Sequence, residues 1–188
     1  MDTLRHNLPL RLLLITNSLI LLSAAMLGPI YALFVEDIGG DLMDASIAGS
    51  IFALVAGLTT LISGRYSDKV KENELIVALG YCIIGTGFFL YTIADSVYFI
   101  FCIQALVGLG EAIYSPAFDA LYSKHLDGHK SGAQWGIWES MNYFSIATGA
   151  TLGGTIVTLF GFDTLFILMA SLSFGSGLYI VRLNRNIL

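Results

Sequence analysis

The sequence predicts an all-α, polytopic membrane protein: a single six-helix transmembrane bundle, residues 1–188, with both termini cytoplasmic. Three observations carry that prediction. The chain is 56% hydrophobic and 12% charged, with a mean hydropathy of +0.77, whereas a soluble domain is roughly 25% charged. Its charge-free stretches are 12–35, 45–64, 75–94, 96–110, 140–162 and 164–181. A helix needs about 20 apolar residues to cross a bilayer core about 30 Å thick. The fourth stretch is interrupted by Glu111 and continues to Phe118. Finally, all nine Lys and Arg residues fall in four clusters: Arg5 and Arg11; Arg65, Lys69 and Lys71; Lys124 and Lys130; Arg182 and Arg185. The intervening connections carry only acids: Glu36, Asp37, Asp41 and Asp44, then Asp95, then Asp163. Basic loops stay on the cytoplasmic side, so this alternation reads as six crossings with both ends inside.

The expected elements follow in order. The first helix covers about 10–35, with Gly28-Pro29 near its end, and leads into an acidic, glycine-containing outer loop. The second covers about 45–64 and the third about 75–94, joined by a basic inner loop. A tight outer turn at Asp95-Ser96 leads to the fourth, about 97–121. A second inner loop precedes the fifth, about 133–158; an outer turn near Gly161 precedes the sixth, about 163–181. In lipid every backbone polar group must be satisfied within the protein. These long continuous runs suit helices, whereas a β-barrel would need alternating segments of roughly ten residues. The run from Leu12 to Val35 exceeds the roughly 7–15 residues of a signal-peptide core, so it is read as a retained helix.

Other classes find little support. The basic residues form no dense patch, which argues against nucleic-acid binding. Cys82 and Cys102 lie inside apolar spans without a disulfide framework. There is no metal-ligand spacing; His125 and His129 form an isolated pair in a polar loop. An intramembrane enzyme lacks a Ser–His pair or paired Asp at depth.

Ionisable residues inside a span are costly and therefore functional candidates. Glu111 is the strongest. Gln104, Gly108, Ser115 and then Asp119 or Tyr122 share its helical stripe, which must face a protein interior or a water-filled path. A carboxylate there can take up a proton or meet a cation; the plainer alternative is a Glu that only holds neighbouring helices together. Glu139, with Asn142 three residues on, lies near the cytoplasmic side and suits a structural or gating contact. Asn17 and Tyr31 on the first helix are candidates for polar contacts with a substrate. No Lys or Arg lies inside any span, and anion sites usually use a fixed cation. A cationic or neutral, partly apolar substrate is therefore favoured, although helix termini can also hold anions. Small residues recur every four positions at Ala45, Gly49, Ala53 and Gly57, and again at Gly149 and Gly153, followed by Gly154. Such rows let helices approach closely, either inside one bundle or between two six-helix units.

The loop after the second helix reads Gly64-Arg65-Tyr66-Ser67-Asp68-Lys69. With it, the chain resembles the N-terminal six-helix half of a major facilitator superfamily transporter. The family pattern there is Gly, three residues, Asp, then Arg or Lys; Gly64, Asp68 and Lys69 match, while Lys71 stands where a second Gly is usual. The resemblance implies that this loop helps to lock an inner gate, with Asp119 as a partner for Lys69. Gly108, Gly110 and Pro116 fall at familiar places on the fourth helix, and Gln104 replaces an arginine often found there. The fifth helix carries Gly149-Ala150-Thr151-Leu152-Gly153-Gly154, similar to the family's antiporter motif with Ala150 in place of Pro.

The resemblance implies a secondary active transporter working by alternating access, with proton or sodium coupling and no bound cofactor. It would move a small, cationic or neutral amphipathic molecule, as a drug-efflux protein does, across a plasma (inner) membrane. The first and fourth helices would line the path, and the second and fifth would form the moving interface. Family members usually have twelve spans, as two parallel repeats. A six-span unit ending at Arg185-Asn186-Ile187-Leu188 is thus expected to work as a homodimer or with a second six-helix half. The alternative is a non-transporting membrane interaction protein or a truncated half of a twelve-helix transporter.

Overall fold

Asn7 opens the first helix of the computed structural model, which describes residues 7–183. Arg5 and His6, at the start, and Arg185-Asn186-Ile187-Leu188, at the end, lie outside the described residues. Helix α1 (Leu8–Leu27) is capped by the Asn7 side chain, which accepts from the Leu10 N–H. Pro9 sits in the first turn, where its missing N–H leaves no helical bond unmade. Pro29 then interrupts the ladder, and the chain passes through a 3₁₀ turn, Gly28–Ile30, into α2 (Tyr31–Asp37). The two helices act as one span, Leu8–Asp37.

Gly39 turns the chain at a φ of +86°, a conformation open to glycine at no steric cost. Helix α3 (Leu42–Ser67) begins at a capping box. The Asp41 carboxylate accepts from the Asp44 N–H at 2.9 Å, and the Asp44 carboxylate accepts from the Asp41 N–H at 3.0 Å. This reciprocal cap satisfies two otherwise orphaned donors and starts α3 at Leu42 rather than at 45. Helix α4 (Asn73–Leu90) ends in a 3₁₀ turn, Tyr91–Ile93. Ser96 caps α5 (Val97–Lys124), which carries Pro116 inside it.

Helix α6 (Ser131–Arg182) is 52 residues long and breaks at Gly161, whose φ of 80° and ψ of 172° are not helical. At about 1.5 Å per residue such a rod is more than twice as long as a bilayer core is thick. The break divides it into two arms, 131–160 and 162–182, each about a bilayer long. Five helical segments of the described chain are long and apolar enough to cross a membrane, with α6 as one of them. There is no strand among the described residues.

Helix α5 packs between α3 and α4, α4 also packs on α6, and α6 packs on α1. Glycines set the closest approaches. A Cβ on Gly108 would lie 2.6 Å from the Phe52 carbonyl oxygen, and one on Gly80 would lie 2.8 Å from that of Gly110. The bundle is pinned at both ends by aromatics. Near the acidic loops, Phe34 lies 4.7 Å from Phe166 and 5.4 Å from Tyr91, ring centre to ring centre. Near the basic loops, Tyr122 lies 4.9 Å from Trp135, which lies 5.7 Å from Trp138. There the Tyr122 hydroxyl also donates to the Gln134 carbonyl at 2.6 Å, and the buried Gln134 side chain accepts from the Asp127 N–H. Helix α3 is the outlier: Leu54, Leu58, Leu61 and Ile62 all face outward.

Candidate functional site

Where α1, α2, α3, α4 and α5 diverge they leave an open-sided cavity of about 270 Å³. Helices α1 and α2, with their joining turn, supply Ile20, Ala24, Leu27, Gly28 and Tyr31; α3 supplies Gly49 and Phe52. Ile84, Phe88 and Tyr91 come from α4 and its end turn, and Gln104, Val107 and Glu111 from α5. The wall is mostly apolar and aromatic, with few polar groups, as ligand sites generally are. No Lys or Arg lines it among the described residues.

Three residues singled out from sequence, Tyr31, Gln104 and Glu111, meet in this cavity. Gln104 and Glu111 get there because positions seven apart on a helix share a face. Tyr31 arrives because the Pro29 turn continues α1 past the bend. Its buried hydroxyl has no partner in good hydrogen-bonding geometry, although the Gln104 and Tyr91 side chains lie near enough to interact with it. The Tyr114 hydroxyl lies against Glu111, and Tyr81 and Asp119 act on it from farther off.

Other candidates take different places. Asn17 is buried behind the cavity rather than in its wall. Its amide donates to the Tyr81 hydroxyl at 3.2 Å and accepts from the Trp138 indole N–H at 3.2 Å. The Tyr81 ring in turn lies 5.0 Å from Tyr114. Glu111, Tyr114, Tyr81, Asn17 and Trp138 thus adjoin one another from the cavity to the first arm of α6, with the Tyr114–Tyr81 step made by an edge-on ring contact. Ser115 is half-buried outside the cavity lining. Gly108 serves the close approach of α3 to α5 rather than extending a polar stripe.

Gly64 passes Pro116 of α5, and Asp68 ends α3, its N–H reaching the Gly64 carbonyl. Asp68, Lys69 and Asp119 are exposed, and no ion pair joins Lys69 to Asp119 among the described residues. Both side chains reach into solvent in this conformation, so the pairing implied by the family resemblance is not made within the chain. Glu139 is exposed and Asn142 half-buried on the first arm of α6. Gly149 and Gly153 are buried against Ala25 and Met26 of α1. Gly154 instead borders an outer groove with Thr151, Thr155 and Thr158.

Sequence reasoning passed over Phe52, Phe88, Tyr81, Tyr114 and Trp138. The tyrosines and the tryptophan carried a signal, since a polar tip inside an apolar span needs a partner. Phe52 and Phe88 carried none that separates them from lipid-facing aromatics.

Comparison with known proteins places the chain in a family. The family model described as Major Facilitator Superfamily matches residues 13–186. The chain is 24% identical, over 85% of its length, to the multidrug resistance protein MdtG of Dickeya zeae, covering 40% of that protein. It is 29% identical, over 81% of its length, to the multi-drug resistance efflux pump PmrA of Streptococcus pneumoniae, covering 39%. It is 22% identical, over 76% of its length, to the proton-coupled antiporter flippase LtaA of Staphylococcus epidermidis, again covering 39%. The chain therefore spans about two fifths of the length of these curated relatives.

Proposed function

The chain belongs to the Major Facilitator Superfamily, and on that premise we propose that it is a six-helix unit of a secondary transporter with cytoplasmic termini in a plasma membrane. It is an integral, multi-pass membrane protein, and relatives it matches are named as a multidrug resistance protein, an efflux pump and an antiporter flippase. In our reading it moves a small, amphipathic cationic or neutral molecule by alternating access, as an efflux protein does, drawing on a proton or sodium gradient. It pairs with a second six-helix unit, either a copy of itself or a separate half.

The observation that carries this reading is Glu111 in the wall of an aromatic cavity that four stretches of chain build together and that no Lys or Arg lines among the described residues. An acid in such a place has two uses. Ionised, it attracts an organic cation that the aromatic faces of Phe52, Phe88 and Tyr91 also favour. Protonated, it releases that cation. A single carboxylate can thus exchange one positive charge for another, which is the elementary step of proton-coupled antiport. Asn17 and Tyr81 stand behind Glu111 as the groups through which its state reaches α6. The exposed Arg65, Asp68 and Lys69 would latch the facing unit at the inner end, rather than Asp119 of their own.

Transport in proteoliposomes tests the reading. Wild-type protein is expected to move a lipophilic cation such as tetraphenylphosphonium against a proton or sodium gradient, and Glu111→Gln to lower the rate by about a hundredfold, the effect of losing about 2.7 kcal/mol. Equal rates in the two proteins would remove Glu111 from the mechanism.

A further inference from the structure

We infer that the cavity reads its ligand at two points: Glu111 takes a cationic centre, and Tyr31 with Gln104, toward the start of α5, takes a hydrogen-bonding group. This rests on the reading of Glu111 as the cation site. Gln104 and Glu111 line the same cavity, and seven positions along a helix amount to about 10 Å at about 1.5 Å per residue. The wall between them is apolar, with Val107 on α5 and Phe52 and Phe88 facing it.

The Tyr31 hydroxyl makes this end of the cavity a recognition point. It is buried with no partner in good hydrogen-bonding geometry, and leaving a buried donor unsatisfied is costly. Among the described residues one other buried side-chain hydroxyl lacks a partner, that of Ser176, and it does not line the cavity; elsewhere Tyr81 accepts from Asn17, and Ser23 and Ser173 meet at 3.4 Å. The orphan thus falls on a cavity-lining residue, beside an amide that can donate and accept. A ligand acceptor arriving there takes the Tyr31 proton in a hydrogen bond and offsets that cost. A site built to hydrogen-bond its ligand rejects the analogue that lacks the group far better than an apolar wall does. The ligand class follows: an elongated monocation with an apolar middle and a hydrogen-bond acceptor about 10 Å from its charge.

The test is equilibrium binding to the full chain in lipid nanodiscs with two probes, octyltrimethylammonium bearing or lacking a terminal carboxamide. Wild type is expected to bind the carboxamide form about tenfold more tightly, or about 1.4 kcal/mol. Tyr31→Phe and Gln104→Leu should each shrink that preference by weakening the carboxamide probe more than the plain cation, and measurable binding of the plain cation shows that the variants fold. Glu111→Gln should weaken both probes alike and keep the preference. Equal affinity of wild type for the two probes, or a preference untouched in both variants, overturns the inference while leaving the cation site standing. A preference that survives in a Glu111→Gln protein of undiminished affinity overturns the cation-site reading. Failure of wild type to bind either probe overturns both.

Discussion

Helices α3 and α6 carry the same signal, small residues every four positions, and use it in opposite ways. On α6, Gly149 and Gly153 are buried: a Cβ on Gly149 would lie 2.7 Å from that of Ala25, and one on Gly153 would run into the Met26 backbone. On α3, Gly49 and Gly57 are exposed, and a Cβ on either meets nothing within 4 Å. One row is closed on α1; the other is buried at Ala45 and open beyond it, with Ala53 exposed between its glycines. Spacing alone states that a close approach is available. It does not state whether the approaching surface belongs to the same unit. The difference teaches that α1 and the first arm of α6 are closely packed on each other, while α3 leaves its glycine row open, the surface that the proposed function assigns to a second unit.

Replacing the closed glycine should hurt most. Gly153→Leu drives a side chain into the Met26 backbone, and overpacking of that kind costs about 3 kcal/mol or more. Loss of a monodisperse peak in detergent, or a large drop in thermal midpoint, is the expected result. Next comes Asn17→Leu, which leaves the Trp138 N–H without its acceptor and Tyr81 without its donor. It should destabilise the unit by about 1–3 kcal/mol, measured by thermal unfolding in the same detergent. Gly57→Leu on the open row should change the unit's own stability by no more than about 0.5 kcal/mol. It should nonetheless reduce chemical crosslinking to the facing unit in native membranes. Thr155→Val is the smallest change. Its hydroxyl already bonds to the Thr151 carbonyl of its own helix at 2.8 Å, so stability should move by a few tenths of a kcal/mol at most, about the scale of such back-bonds. A Gly57→Leu protein that unfolds as readily as Gly153→Leu would erase the contrast between the two rows.

How far the sequence could be read follows the same contrast. Helix positions were legible because charge marks the ends of membrane spans, and Gly161 was legible as a break between two runs. The start of α3 was missed because its cap is a pair of aspartates that read first as loop acids. Glu111, Gln104 and Tyr31 stood out because polar groups are scarce in apolar spans. Their aromatic neighbours did not, because a helix in lipid is apolar on both its inner and outer faces, so the amphipathic stripe that marks a core in water is absent. Phe88 is buried and Phe89 is exposed, yet nothing in the local sequence separates them. The Lys69–Asp119 partnership was a motif-level expectation, and a charge motif does not say which conformation, or which unit, supplies the partner.

The central claim is that the Glu111 cavity changes the side to which it opens as it gains and loses a cation. Gly49 lines that cavity and has open space for a side chain, so a single cysteine there, in a background lacking Cys82 and Cys102, reports its exposure. Labelling by a membrane-impermeant thiol reagent, added from one side and then the other, is the measurement. The expected result is a side-to-side labelling ratio that shifts by about tenfold when tetraphenylphosphonium is added, and does not shift in the Glu111→Gln version; a tenfold population change needs about 1.4 kcal/mol of differential binding. A ratio that ignores the cation in both proteins, or responds equally in both, would contradict the account.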